Sequence, residues 1–132
     1  STIKVLQPAD WARPRGYSNG VMARGETVYV AGMIGWDAQC QFQTDDFAGQ
    51  VRQALQNVVA VLQEAGAKPE HIVRMTWYVT DKREYLAAGR EIGAAFKEVI
   101  GSFYPAMTAV QVLALIEDRA KVEIEVTAVI PD

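Results

Sequence analysis

The sequence has 132 residues, of which 50% are apolar and 22% are charged, and its formal net charge is −3. This length fits one domain with its own core, and because no repeat or linker interrupts it, residues 1–132 are assigned to a single domain. The negative balance argues against nucleic acid as a partner, since binding a polyanion needs a basic surface. No stretch approaches the roughly 20 apolar residues that span a bilayer, so we expect no membrane association.

The cysteine and histidine content limits both the compartment and the chemistry. The only cysteine, Cys40, cannot form an internal disulfide, which indicates a reducing compartment. The first residues lack the charged and then apolar pattern of a secretory leader, so we expect a soluble, cytoplasmic protein. Cys40 and the only histidine, His71, cannot together build a usual zinc site, so we expect no metal. Cys40 is expected in a loop and His71 in a solvated turn.

The first third of the chain is predicted to contain three short strands. Residues 3–6 form the first, and a loop rich in proline and glycine follows it. Residues 20–23 and 27–31 form the next two, and the short turn at 24–26 between them predicts a hairpin. Gly32 is expected to end the third strand.

Two helices are predicted from apolar residues that recur at steps of three and four. The first starts at Phe47, after a capping segment at 44–46, and stops at Gly66. The second runs from about Arg83 to Ile100.

Three more strands are predicted at residues 73–80, 108–113 and 119–130. The order β-β-β-α-β-α-β-β predicts an α+β domain with two helices on one face of a mixed sheet. The opposite face, which includes Tyr29 and Tyr78, is then left uncovered. Exposed apolar patches of this size mark interfaces, so we expect a closed homo-oligomer.

The last predicted strand places Glu123 and Glu125 on one face, because they alternate with apolar residues. A carboxylate in an interface is costly unless it is paired or hydrogen-bonded. One interpretation is that these glutamates form structural ion pairs with Lys121, Arg74 or Arg119 of a neighbouring subunit. The other is that a carboxylate lines a cleft between subunits, where it orients a water or moves a proton.

Segments along nearly the whole chain resemble the Rid proteins, the reactive enamine/imine deaminases once called the YjgF group. The similar segments, in chain order, are Arg15–Gly20, Val30–Ile34, Gln50–Val58, Ala65–Ala67, Val73–Asp81, Pro105–Val112 and Val122–Val126. The resemblance implies a chorismate-mutase-like fold and a homotrimer with clefts between subunits. It also implies hydrolysis of enamines or imines to ketoacids and ammonia, without cofactor or metal.

The resemblance assigns roles to individual residues. Glu123 matches the glutamate that positions the attacking water, and Gly32 matches the glycine at the cleft wall. Tyr17 matches the cleft tyrosine, although from the sequence alone it could equally cover apolar surface. The main chain around Ala109 matches the segment that contacts ligand or water.

Two positions depart from the family pattern. Met107 stands where the best-known members have the arginine that anchors the substrate carboxylate, and Gly89 stands where they have an asparagine. A thioether offers neither charge nor donor, so we expect little activity on small 2-imino acids. Arg90, Arg13 or Arg15 could supply the missing charge, or could be solvated surface groups.

The loss of the arginine also allows a different substrate class. A softer pocket lined by Met107, Trp36 or Met33 would suit a larger apolar or thioester-type enamine. The leading hypothesis is therefore a Rid-like hydrolase in which Glu123 positions water for such a small-molecule substrate. The alternative is a non-catalytic Rid-type trimer that binds a small molecule or acts in regulation.

Overall fold

The computed structural model describes residues 3–132. Strands in which apolar and polar residues alternate form two β-sheets. The strands are β1 (Ile3–Leu6), β2 (Gly20–Ala23), β3 (Gly25–Ile34), β4 (Ile72–Val79), β5 (Ala106–Gln111) and β6 (Val122–Pro131). The main sheet has the order β3-β6-β4-β5, and β1 pairs with β2 apart from it. Among the strands within residues 3–132, only β4 and β5 pair in parallel, so the sheet is mixed, as predicted for an α+β domain.

Three helices pack on one face of the main sheet. They are α1 (Phe47–Glu64), α2 (Lys82–Ala87) and α3 (Gly89–Val99), and a short 3-10 turn spans Pro69–His71. The predicted cap of α1 is confirmed, because the Asp46 carboxylate accepts a hydrogen bond from the Gly49 amide at 2.8 Å. Gly66 follows the helix with a φ of 72°, which favours glycine.

The core lies between α1 and the central strands β4 and β6. Most of its largest fully buried side chains come from these three elements, and they include Trp77, Leu55, Leu62, Met75, Ile124 and Val126. Glu123 and Glu125 alternate with the buried residues of β6 and lie on the opposite face, as predicted. Helices therefore cover one face of the sheet, and the glutamate face is left open.

The predicted hairpin between the second and third strands is wrong. β2 pairs with β1, whereas β3 pairs antiparallel with β6 from its first residue, Gly25, opposite Pro131. The end of β3 was also predicted wrongly. The sequence predicts an end at Gly32, but the strand continues to Ile34. A register shift between Val30 and Met33 allows this, since a bulge absorbs one extra residue and the strand then resumes pairing.

The second predicted helix is broken at Ala88, which has a non-helical ψ of 16°, so that α2 and α3 are separate. Gly89 follows directly, and glycine is a poor helix former. No helix within residues 3–132 is long and apolar enough to cross a membrane.

Candidate functional site

A cavity of about 450 Å³ lies between the sheet edge at β4 and β5 and the two helices α2 and α3. Its walls are largely apolar and include Trp77, Tyr85, Phe96 and Met107. Volumes of roughly 300–1,000 Å³ with such walls are typical of small-molecule sites. We call this space the helix-side cavity.

The loop before β2 closes one side of the helix-side cavity. The Ser18 amide donates to the Pro105 carbonyl at 2.9 Å, and the Ser18 hydroxyl donates to the carbonyl of Tyr104. These bonds dock the loop beside the start of β5. They place Tyr17 and Arg15 on the wall of the cavity that Met107 also lines.

Two glycines leave room for the cavity. A Cβ built on Gly89 or Gly93 of α3 would meet nothing within 4 Å, and both residues line the cavity. Gly89, predicted to replace a family asparagine, therefore borders the same space as Tyr17, Met107 and Ala109.

The indole N–H of Trp77 is a buried hydrogen-bond donor beside the cavity. Its side chain is 1% exposed, and its Nε1–H has no hydrogen-bond partner within residues 3–132. Leaving such a buried donor unsatisfied costs about 1–3 kcal/mol. Trp77 borders the helix-side cavity, but its Nε1 atom has almost no solvent-accessible surface.

Glu123 lies on the open face of the sheet, against the bulge of β3. A Cβ on Gly32 would meet Glu123 Oε2 at 1.9 Å, so only glycine leaves space for this carboxylate. Within the described part of the chain, the Glu123 side chain has no hydrogen bond or ion pair. Two of its candidate partners are engaged elsewhere, since Lys121 pairs with Glu84 at 3.1 Å and Arg119 pairs with an aspartate.

Glu125, the other glutamate on this face, has a hydrogen-bond partner. The Tyr78 hydroxyl donates to Glu125 Oε1 at 3.2 Å. The negative charge of Glu125 is the main reason that the pKa of Tyr78 is raised, followed by desolvation, the hydrogen bond to Glu125 and the charge of Glu123. Tyr78 is therefore kept protonated beside two carboxylates.

The sheet separates the predicted site residues into two groups. In register, Met107 pairs with Met75 on the helix side, whereas Glu123 pairs with Tyr78 on the open face. Strand β4 also lies between β5 and β6, which puts these two strands about 10 Å apart. One chain therefore does not bring Met107 and Glu123 into a common site.

Other candidate residues lie away from the helix-side cavity. Arg90 is exposed on α3 and does not line it. Met33 lies on β3, and Trp36 packs against Phe42 with ring centroids 5.9 Å apart. Of the three residues expected to form a soft pocket, only Met107 borders the cavity.

Cys40 and His71 lie where they were expected. Cys40 is exposed in the loop after β3, and His71 Nδ1 accepts a hydrogen bond from the Lys68 amide in the turn before β4. Residues 3–132 contain no group of three or more His, Cys, Asp or Glu side chains that could hold a metal ion.

Sequence reasoning missed the aromatic wall of the cavity. Trp77, Tyr85 and Phe96 show the periodicity of core residues, and nothing in that pattern distinguishes a cavity wall from a filled core. The signal that could have found them is the pair Gly89 and Gly93, four residues apart on the helix opposite Trp77.

Comparisons with known proteins agree with this architecture. The sequence model of the family described as endoribonuclease L-PSP matches residues 11–130. A 2-iminobutanoate/2-iminopropanoate deaminase of Salmonella typhimurium is 35% identical over 105 residues, which cover 80% of each chain.

Solved structures share the same mixed α+β fold. YyfB from Yersinia pestis, a Rid-family protein described as of unknown function, superposes with a TM-score of 0.84 at 30% identity, over 98% of this chain and 100% of that one. TdcF from E. coli with bound serine gives a TM-score of 0.71 at 29% identity, over 96% and 98%. The chain therefore belongs to the endoribonuclease L-PSP family, which includes the Rid proteins.

Proposed function

We propose that the protein hydrolyses an enamine, an imine or a related reactive intermediate in a cleft between two subunits of a homotrimer. The observation that carries this proposal is the Glu123 carboxylate, which lies against Gly32 without a hydrogen bond or ion pair in the described chain. A carboxylate held this way is free to bind water. One relative is named 2-iminobutanoate/2-iminopropanoate deaminase, and another was solved with serine bound, which supports a nitrogen-containing substrate.

The proposed reaction needs only water and one carboxylate. Glu123 takes a proton from water as the oxygen bonds to the carbon of the C=N group, and the proton is delivered to nitrogen. In the resulting amino alcohol, the hydroxyl proton passes to nitrogen, the C–N bond breaks, ammonia leaves and a C=O bond forms. An enamine first accepts a proton on carbon and loses one from nitrogen, which gives the imine. The sum is imine plus water giving a carbonyl compound plus ammonia.

Main-chain groups would stabilise the charge that develops on oxygen or nitrogen. The bulge of β3 interrupts its ladder with β6 beside Gly32, which leaves backbone groups unpaired there. Ala109 lies on β5, an edge strand whose outer main-chain groups are not used by the sheet.

The cleft in this proposal combines the helix-side cavity of one subunit with Glu123 of the partner subunit. A second subunit is required in this proposal because, within one chain, the two lie on opposite faces of the sheet. The open face also exposes Tyr29, at 80%, and Val110, at 42%. Burying that surface against another subunit would favour assembly. Sedimentation velocity at micromolar concentration should give three times the chain mass, and a monomer would contradict the assembly.

The substrate is not expected to be a small 2-imino acid. Met107 offers no charged donor to a carboxylate, and each hydrogen bond to a charged group is worth roughly 1.5–3 kcal/mol. Turnover of 2-iminopropanoate should therefore be at least about tenfold below that of relatives with an arginine at this position.

Glu123→Gln tests the proposed role of the carboxylate. This change keeps size and hydrogen bonding but removes the base, so release of ammonia from an imine generated in situ should fall to the uncatalysed rate. Glu125→Gln is the matched control, because Glu125 lies on the same face two residues away and is bonded to Tyr78. Equal turnover by wild type and Glu123→Gln would show that the catalytic assignment is wrong.

A second candidate function is ligand binding without turnover in the same trimer. It is favoured by Met107 and Gly89, which by the resemblance stand where the best-known Rid proteins carry polar side chains. Under this function, a ligand would raise the melting temperature while no imine tested would be hydrolysed.

A further inference from the structure

The helix-side cavity has one charged side chain among the described residues that line it, and that side chain is Arg15. The remaining walls are apolar or aromatic, with Phe96 stacked on Tyr104 at 5.6 Å and Trp77 in edge contact with Tyr85 at 6.2 Å. A cavity of about 450 Å³ greatly exceeds what a three-carbon acid fills. Its size and lining suit a large apolar or aromatic group with a single negative charge at one end.

Arg15 is available to bind that charge. Three other arginines, Arg24, Arg52 and Arg119, are held in ion pairs with Asp132, Glu98 and Asp45. Arg15 has no ion pair or side-chain hydrogen bond within residues 3–132, so binding an anion would break no existing contact.

The loop that carries Arg15 is fixed rather than free. Gly16, with a φ of 77°, turns the chain between Arg15 and Tyr17, and Ser18 docks on the carbonyls of Tyr104 and Pro105. The guanidinium therefore approaches the cavity from the loop, on a side different from the strand that carries Met107.

We propose that Arg15 takes over carboxylate anchoring in this chain, and that the helix-side cavity accepts a 2-imino acid with an aromatic or bulky apolar side chain. This inference rests on the proposed function for its catalytic part. Arg15 binds the carboxylate at the mouth, and the side chain enters between Trp77, Tyr85 and Phe96. A planar guanidinium is well suited to this role, because it forms two parallel bonds to a carboxylate. A small 2-imino acid held by Arg15 would leave the aromatic part of the cavity empty.

Binding of stable ketoacid products tests the anchor without requiring turnover. Isothermal titration calorimetry would compare phenylpyruvate, pyruvate and phenylacetone, which differ by the aromatic ring or by the carboxylate. Wild-type protein should bind phenylpyruvate at least tenfold more tightly than either of the others. Arg15→Gln should weaken phenylpyruvate binding at least tenfold and leave phenylacetone binding unchanged.

Arg13→Gln is the matched control, since Arg13 is exposed in the same loop and does not line the cavity. This variant should bind phenylpyruvate as the wild type does. The inference is overturned if Arg15→Gln binds phenylpyruvate normally, if pyruvate binds as tightly, or if phenylpyruvate does not bind at millimolar concentration. Circular dichroism would verify that both variants are folded.

The same proteins separate this inference from the proposed function. If binding of phenylpyruvate depends on Arg15 but the imine of phenylpyruvate is not hydrolysed, the anchor is supported and the hydrolase function is wrong. If the imine is hydrolysed with a KM that Arg15→Gln does not change, the function is supported and the anchor is wrong.

Discussion

The carboxylate of Glu123 fills the space that a side chain on Gly32 would need. A Cβ at position 32 would lie 1.9 Å from Glu123 Oε2 and 2.7 Å from its Cδ. The two residues sit on neighbouring strands, β6 and β3, at the point where the β3 bulge interrupts their pairing. The glycine therefore sets where the carboxylate can lie, although it has no chemistry of its own.

Gly32→Ala should displace the Glu123 carboxylate while leaving the fold intact. The clash is with the end of a flexible side chain, so we expect the melting temperature to change little and turnover to fall at least about tenfold. Steady-state kinetics beside thermal unfolding would measure both effects. In the Glu123→Gln background the same alanine should cost almost nothing further. An equal loss in both backgrounds would show that Gly32 acts independently of Glu123.

Met107→Arg should increase activity on 2-iminopropanoate. Met107 lines the helix-side cavity, and a guanidinium there would bind a carboxylate that the thioether cannot. We expect kcat/KM for this small substrate to rise at least about tenfold. Met107→Leu, which adds no donor, should leave it low. If the arginine variant folds and its kcat/KM stays at the wild-type value, the missing arginine is not what limits small substrates.

Gln50 should be a major determinant of stability. It is fully buried on α1, where its amide donates to the carbonyls of Arg119 at 3.0 Å and Thr44 at 3.2 Å and accepts from the Lys121 amide at 2.8 Å. Gln50→Leu would remove all three bonds, and we expect unfolding in urea to show a loss of about 2–4 kcal/mol. Gln56→Leu on the exposed side of the same helix should change stability by less than about 0.5 kcal/mol. Similar effects from both would show that the buried bonds contribute little.

Tyr78 should give the protein a pH dependence in the alkaline range. Its pKa is raised from the usual 10.0, mainly by the charge of Glu125, so the folded state holds the phenolic proton more tightly than the unfolded state. The resulting stabilisation is complete below the unfolded pKa and is lost as the pH rises through the folded pKa. Glu125→Gln should lower the pKa of Tyr78 towards its usual value in an ultraviolet titration, with Tyr78→Phe identifying its signal. An unchanged titration in Glu125→Gln would contradict this cause.

Local patterns predicted most of the fold. The apolar residues at steps of three and four predicted helix α1, and the apolar–polar alternation predicted strands β4 and β6. The alternation in β6 also predicted the face on which Glu123 and Glu125 lie. Both predictions are possible because burial on one face imposes a period on the sequence. The pairing of β2 and β3 could not be obtained in this way. Two strands joined by a short turn favour a hairpin locally, but here each finds its partner elsewhere in the chain.

The candidate site was predicted as individual residues but not as an arrangement. The resemblance to Rid proteins named Tyr17, Gly89, Met107 and Ala109, and the structure places all four on one cavity. It could not show that Met107 and Glu123 lie on opposite faces of the sheet, because strand order and register are set by long-range contacts. The aromatic wall was missed for a similar reason, since core and cavity share one pattern.

The division of these residues across the sheet has a consequence for genetics. If each cleft draws its cavity from one subunit and its carboxylate from another, two inactive variants can rescue each other. Chains with a blocked cavity and chains lacking the Glu123 carboxylate would form mixed trimers in which some clefts receive two intact halves. Recovery of activity on mixing would then be a property of neither chain alone.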